Sequence, residues 1–136
     1  LQRARSLVHE AMRMCDLALP SYDDATALTG LSAPDAIVDF YLELGADTVI
    51  LKMGGDGAIV ATGQQREKIG GIKVASIDMN GAGDTFAGAL LAELSRGVET
   101  MAAARYANVA AALSTTGKGA VTAIPSRAEV EAFLAN

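Results

Sequence analysis

The 136-residue sequence predicts an α/β fold, a sheet faced by helices, from three observations. Thr48-Val49-Ile50-Leu51 is a β-rich and nearly all-apolar run, the composition of a strand covered on both sides. Gly54-Gly55-Asp56-Gly57 then turns the chain, and Ala58-Ile59-Val60-Ala61 returns as a second strand. Around this hairpin, segments with apolar residues at helical spacing alternate with short connections.

Taken in order, residues 2–14 read as a helix carrying Leu7, Val8, Ala11 and Met12. Leu17-Ala18-Leu19, closed by Pro20, is a candidate buried strand. A short helix is expected from Tyr22 to Thr29, with Ser21 as N-cap and Gly30 beyond its end. Pro34 sits where a first helical turn tolerates it, and Ala36, Ile37, Phe40, Tyr41 and Leu44 form the apolar face of the helix that Gly45 stops. Past the hairpin, a third strand is expected between Glu67 and Ile77. The remainder reads as helix. Phe86, Ala89, Leu90 and Leu94 share a face ending at Gly97, and Thr100 caps an Ala-rich helix through Tyr106, Val109, Ala110 and Leu113 that ends near Gly117. Ser126-Arg127-Ala128-Glu129 has the form of a capping box ahead of Val130, Phe133 and Leu134.

Composition narrows the class. With 51% hydrophobic and 20% charged residues the chain reads as globular, not disordered. Aromatic residues are 4% and Trp is absent, so the core is expected from Ala, Val, Ile, Leu and Met, with Met12, Met14, Met53 and Met101 as packing residues. A net charge of −5 argues against a nucleic-acid partner, which needs a basic face. An anionic nucleotide is still compatible, because backbone amides and helix ends do not enter a charge count. Cys15 is the only cysteine, which rules out an intrachain disulfide or a cysteine zinc cluster and reads as buried filler. His9 reads as a solvated surface residue. There is no apolar run of bilayer length, so no membrane partner is expected, and the location expected is the cytoplasm. The chain begins at Leu1, not Met, and within a helical pattern, which raises the expectation of a fragment.

The stretch Asp78-Met79-Asn80-Gly81-Ala82-Gly83-Asp84-Thr85-Phe86 carries the chemistry. Two glycines and an alanine stand between an expected strand end and a clear helix start, so the backbone can approach a ligand closely. The first amides of a helix lack internal partners and point outward at the positive end of its dipole. Together they form a pocket for a phosphate or for charge developing in phosphoryl transfer. Asp84, in the first turn, is placed to take a proton from an attacking hydroxyl. On spacing alone a second reading stays open, in which Asp84 complements the dipole and the glycines shape a tight connection. No Walker loop is present, because no Gly-Lys-Ser/Thr follows, and Gly117-Lys118-Gly119 fails the same test.

Asp78 through Asp84, with Thr85-Phe86-Ala87-Gly88, resembles the C-terminal signature of the ribokinase/PfkB carbohydrate kinases, Asp-Thr-x-Gly-Ala-Gly-Asp-x-Phe. The resemblance implies a three-layer ribokinase-like (Rossmann-like) sandwich, with residues 1–136 as its C-terminal catalytic and ATP-binding part and the N-terminal substrate and lid part lying outside them. It implies the Gly81, Ala82 and Gly83 backbone as anion hole and Asp84 as catalytic base. Met79 and Asn80 depart from the usual Thr and small residue.

Three further segments resemble the same family. Leu51-Lys52-Met53-Gly54-Gly55-Asp56-Gly57 is similar to the strand-turn over the ATP phosphates and ribose, which implies nucleotide contact by Lys52, Gly54, Gly55 and Gly57; as a plain hairpin the residues need only satisfy turn geometry. The helix Ala107–Ser114 resembles the one whose Asn borders adenine, here Asn108, against a solvent-facing alternative. Asp78, Asn80, Ser114, Gly117 and Gly119 match positions that enclose a monovalent cation in potassium-activated members. Ser21 and Asp24 stand where the family has Asn-x-x-Glu, a region that organises magnesium, often through water; a helix cap with its reciprocal acid explains them fully, and direct metal ligation by them is not expected. The wording Pro20-Ser21-Tyr22-Asp23-Asp24-Ala25 resembles the 2-keto-3-deoxygluconate kinase branch.

The resemblance therefore implies ATP-dependent phosphorylation of a sugar or sugar-acid hydroxyl, 2-keto-3-deoxygluconate favoured, with ATP and Mg2+ as cofactors and K+ as an activator. For the full-length enzyme it implies a homo-oligomer. The rivals are a nucleotide-binding module or fragment without activity of its own, and a kinase of the related vitamin-precursor group. The Asp-x-x-Gly-Ala-Gly-Asp form speaks against the latter.

Overall fold

The computed structural model describes residues 2–136, which form two compact units, one through Gly70 and one from Gly71 to Asn136. The α/β class holds. In the first unit, strands β1 (Leu17–Ala18), β2 (Thr48–Lys52), β3 (Gly57–Thr62) and β4 (Arg66–Gly70) form one mixed sheet in the order β1-β2-β3-β4. β1 runs parallel to β2, and the other two pairings are antiparallel. Helices α1 (Gln2–Arg13), α2 (Tyr22–Thr29) and α3 (Pro34–Leu44) complete this unit.

The apolar composition of β2 is accounted for by its central place, since Val49, Ile50 and Leu51 have no exposed surface. Val49 and Leu51 belong with Ile37, Val38, Tyr41 and Ile59 to a core in which Met12 and Met53 also pack, and Ile50 is buried on the opposite face of the strand. A single 3-10 turn, Gly54–Asp56, links β2 to β3, closed by Met53 N donating to Gly57 O at 2.8 Å. Arg66, on the outer strand β4, pairs with Asp35 and Asp39 of α3 and so ties that edge to a helix.

Several expectations are corrected here. The third strand ends at Gly70, because the Gly70-Gly71 pair breaks it; Ile72 beyond packs on helices of the second unit. Ser21 is the N-cap of α2 but its hydroxyl makes no capping bond. His9 is not solvated: its ring packs against Phe40 at 5.0 Å and Tyr41 at 6.1 Å, with Nε2 buried and unpartnered. Cys15 is exposed, not filler, its Sγ donating to the Ala11 carbonyl, and Met14 is 81% exposed. Both follow α1, whose last residue is Arg13, where no further element covers them.

The second unit holds α4 (Ala82–Ser95), α5 (Thr100–Ser114) and α6 (Arg127–Leu134). Phe86 and Leu90 of α4, Ala103, Ala104, Ala107 and Val109 of α5 and Val130 of α6 are buried. Alanines on α5 let its neighbours approach closely. Gly97, at φ +80°, follows the Arg96 C-cap as expected. The cap of α5 is Glu99, not Thr100: its carboxylate accepts Met101 N and Ala102 N, meeting orphan amides with a charge the dipole favours. That helix ends at Ser114, because the following residues form a tighter turn, Thr115 N and Thr116 N donating to Ala112 O and Leu113 O. The Ser126–Glu129 capping box is present in both directions.

Candidate functional site

The candidate residues divide between the two units. Lys52, Gly54, Gly55 and Gly57 lie at the β2–β3 connection of the first. Gly54 and Gly57 adopt φ +57° and +94°, which makes glycine the natural occupant. A Cβ built at Gly54 or Gly55 would meet nothing within 4 Å, so one side of this turn is open. Lys52 N donates to Pro20 O and Lys52 bridges Ser21, which sets Ser21 beside the end of β2.

In the second unit, Gly81 starts α4 as an N-cap with φ +77° and no side chain to offer. Ala82 N donates to Met79 O at 3.2 Å and Thr85 N to Gly81 O at 2.8 Å. The amides of Gly81, Gly83 and Asp84 donate to nothing among the described residues. Bare amides at a helix N-terminus are an anion-binding arrangement. Asp84 is exposed and lines, with Gly81, an open cleft of about 570 Å³ along α4. Across that cleft stand Ala120, Val121 and Ile124.

Two loops support the start of α4. Asp78 accepts Asn80 N at 3.0 Å through Oδ1 and Gly119 N at 2.9 Å through Oδ2. Those amides, Asn80 first, hold its carboxyl below the usual carboxylate range. Thr115 O accepts both Ile77 N and Asp78 N, at 2.7 and 3.1 Å. The structure thus joins Asp78, Asn80 and Gly119, with Gly117 in the same loop. The Ser114 hydroxyl instead donates to Ala111 O within α5, and Ser114 is buried. Asn108 is 7% exposed, which removes the solvent-facing alternative.

Two features of the cleft escape a reading of the motif. Glu93, 5% exposed, pairs with Arg127, which also binds Glu131 at 2.9 Å and lies over the Tyr106 ring at 5.1 Å. The signal was an acid on the stripe of Phe86 and Leu90. Thr85 lines the cleft at 7% exposure with its hydroxyl unpartnered. Nothing in the sequence marks a side-chain rotamer.

The family model for pfkB family carbohydrate kinase matches residues 1–127. A ribokinase of Staphylococcus aureus (strain COL) is 31% identical over 133 residues, 93% of this chain and 44% of its own length. The 2-dehydro-3-deoxygluconokinase of Bacillus subtilis (strain 168) is 30% identical over 128 residues, 93% of this chain and 40% of its own. A fructokinase double mutant of Vibrio cholerae O395, solved with fructose, ADP and potassium ion bound, matches with TM-score 0.89 at 33% identity, covering 98% of this chain and 45% of that one. The chain spans less than half the length of these relatives.

Proposed function

Since the chain belongs to the pfkB family of carbohydrate kinases, we propose that residues 1–136 are the ATP-binding, base-carrying part of a sugar kinase, the substrate and lid part lying outside them. One observation carries this reading: unpartnered amides at the start of α4 stand beside an exposed carboxylate, Asp84, on one cleft. In the reaction, a sugar hydroxyl gives its proton to Asp84 as its oxygen attacks the γ-phosphorus of ATP in line, and ADP leaves. The amides of the Gly81–Gly83 turn and of Asp84 hold the transferring phosphoryl oxygens; Ala82 acts by setting the turn, its own amide being given to Met79 O. Lys52 with Gly54, Gly55 and Gly57 supports the nucleotide's phosphates and ribose, and Asn108 its adenine.

No group of three or more His, Cys, Asp or Glu side chains able to hold a metal occurs among the described residues. Magnesium would be held mainly by the nucleotide's phosphates and water, and would supply neutralisation of the phosphate charge. For potassium, the fitting donors are the main-chain carbonyls of the loops that hold Asp78, Asn80, Gly117 and Gly119, together with the Asp78 carboxylate, whose oxygens each accept one amide and keep a lone pair.

The acceptor proposed is a sugar or sugar acid. The Pro20–Ala25 wording and the B. subtilis relative favour 2-keto-3-deoxygluconate, while the S. aureus relative is a ribokinase. Asp84→Asn in the full-length enzyme is expected to cut turnover by roughly a hundredfold or more with ATP affinity nearly unchanged. Near-normal turnover in that variant would remove Asp84 from its role. The share of the relatives that is covered supports one other reading, a nucleotide-binding module without activity of its own. Calorimetry with ATP, followed by an ADP-release assay over a sugar panel, separates the two.

A further inference from the structure

Two helical hydroxyls, those of Thr26 on α2 and Thr85 on α4, are buried without a partner, and of the two Thr85 lines the cleft. Thr29, Ser95, Ser114 and Thr115 each donate to a carbonyl of the helix they belong to or follow, at 2.7–2.8 Å. Thr85 does not: its hydroxyl has no partner, although the residue is 7% exposed and its own amide follows the helix pattern by donating to Gly81 O. A sequestered hydroxyl without a partner is costly, so a group that completes it in the working state is expected.

The place of Thr85 on α4 identifies that group. Helical side chains lean toward the N-terminus and cover the preceding turn. For Thr85 that turn begins at Gly81, where the cap has no side chain and the amides of Gly83 and Asp84 are bare. Threonine in a helix has two accessible χ1 wells, so its hydroxyl can reorient, and Thr85 lines the cleft. An anion seated on those amides offers the acceptor that the hydroxyl lacks.

We propose that the Thr85 hydroxyl is a further binding group of the anion site at the start of α4, donating a hydrogen bond to a phosphoryl oxygen beside the Gly83 and Asp84 amides. The inference rests on the anion site of the proposed function, and its ligand class is a phosphate monoester, inorganic phosphate or a nucleotide's terminal phosphate. Thr85 completes the amides with a donor whose direction can adjust, which suits a tetrahedral group.

The test uses the full-length enzyme, with inorganic phosphate and then ATP titrated while the Gly83 and Asp84 amide resonances are followed. Thr85→Val keeps the side-chain shape and removes the hydroxyl; Thr85→Ser keeps the hydroxyl. The expected result is roughly fivefold or greater loss of affinity in Thr85→Val, with Thr85→Ser within about twofold of the parent. If the Val variant fails to fold, Thr85→Ala against Thr85→Ser reads the same contrast. Equal affinity with and without the hydroxyl, together with an unchanged or raised melting temperature, overturns the Thr85 assignment and leaves the amide site standing. Absence of any amide response to phosphate and ATP in the parent chain overturns both.

Discussion

Gly81 is under two constraints. Its φ of +77° costs a residue with a Cβ about 1–2 kcal/mol. A Cβ there would also lie 2.8 Å from Ala120 Cβ and 3.0 Å from Ala120 O, and a backbone atom does not move aside as a side-chain tip would. Gly81→Ala is therefore expected to destabilise the chain by about 2 kcal/mol or more in denaturant melts, and to shift the 117–121 loop, seen as amide changes at Gly119. Wild-type stability in that variant would show that the turn at Gly81 relaxes freely. Asp78 complements this glycine, since its two hydrogen bonds set the loop against which Gly81 packs.

Among the elements, α6 depends on a pair that its own sequence barely advertises. Only Val130 of its residues is buried, so the apolar seam holding it is narrow. Arg127 adds the ion pair to Glu93 and the stacking on Tyr106. Glu93 is almost fully buried, and loss of its cation leaves a charge without compensation. Arg127→Met is expected to lower the melting temperature clearly, whereas Glu131→Gln, which breaks only the exposed i,i+4 contact, changes it little. Adding Glu93→Leu to Arg127→Met is expected to restore much of the loss, because the buried charge then goes too. Equal effects of Arg127→Met and Glu131→Gln would count against the pair as the anchor of α6.

For the molecule as a whole, acid is the condition that tests several of these contacts together. His9 is held below the ordinary imidazole value of 6.5 by burial first and then by Arg5 and Arg13. Its neutral form is therefore favoured in the folded chain. That contribution is complete above 6.5 and is lost as pH falls through the lowered folded value. Asp78, also lowered, behaves alike from the ordinary aspartate value of 3.8: its contribution is present above that value and is lost in stronger acid. Stability is expected to fall in two stages on acidification. His9→Phe, which keeps a ring against Phe40, should flatten the first stage and leave the second; an unchanged first stage would mean that His9 does not report the docking of α1 on α3.

Periodicity and caps made most elements legible: β2 and β3 within about a residue, α2 and α3 at their ends, and the α6 capping box. The signature marked Gly81 to Asp84, because a glycine turn entering a helix is written in consecutive residues. What was illegible depends on neighbours far along the chain. Whether His9 or Cys15 faces solvent, whether Glu99 or Thr100 caps α5, and where β4 stops are decided by packing and competing hydrogen bonds. By itself, then, the sequence determined the α/β class, the family and the residues offered for chemistry, since these follow from local spacing. Only the tertiary structure decided that Asp78 clamps Gly119, that Glu93 is buried on Arg127 and that the Thr85 hydroxyl waits without a partner, because each depends on which distant atoms folding brings within a hydrogen bond's reach.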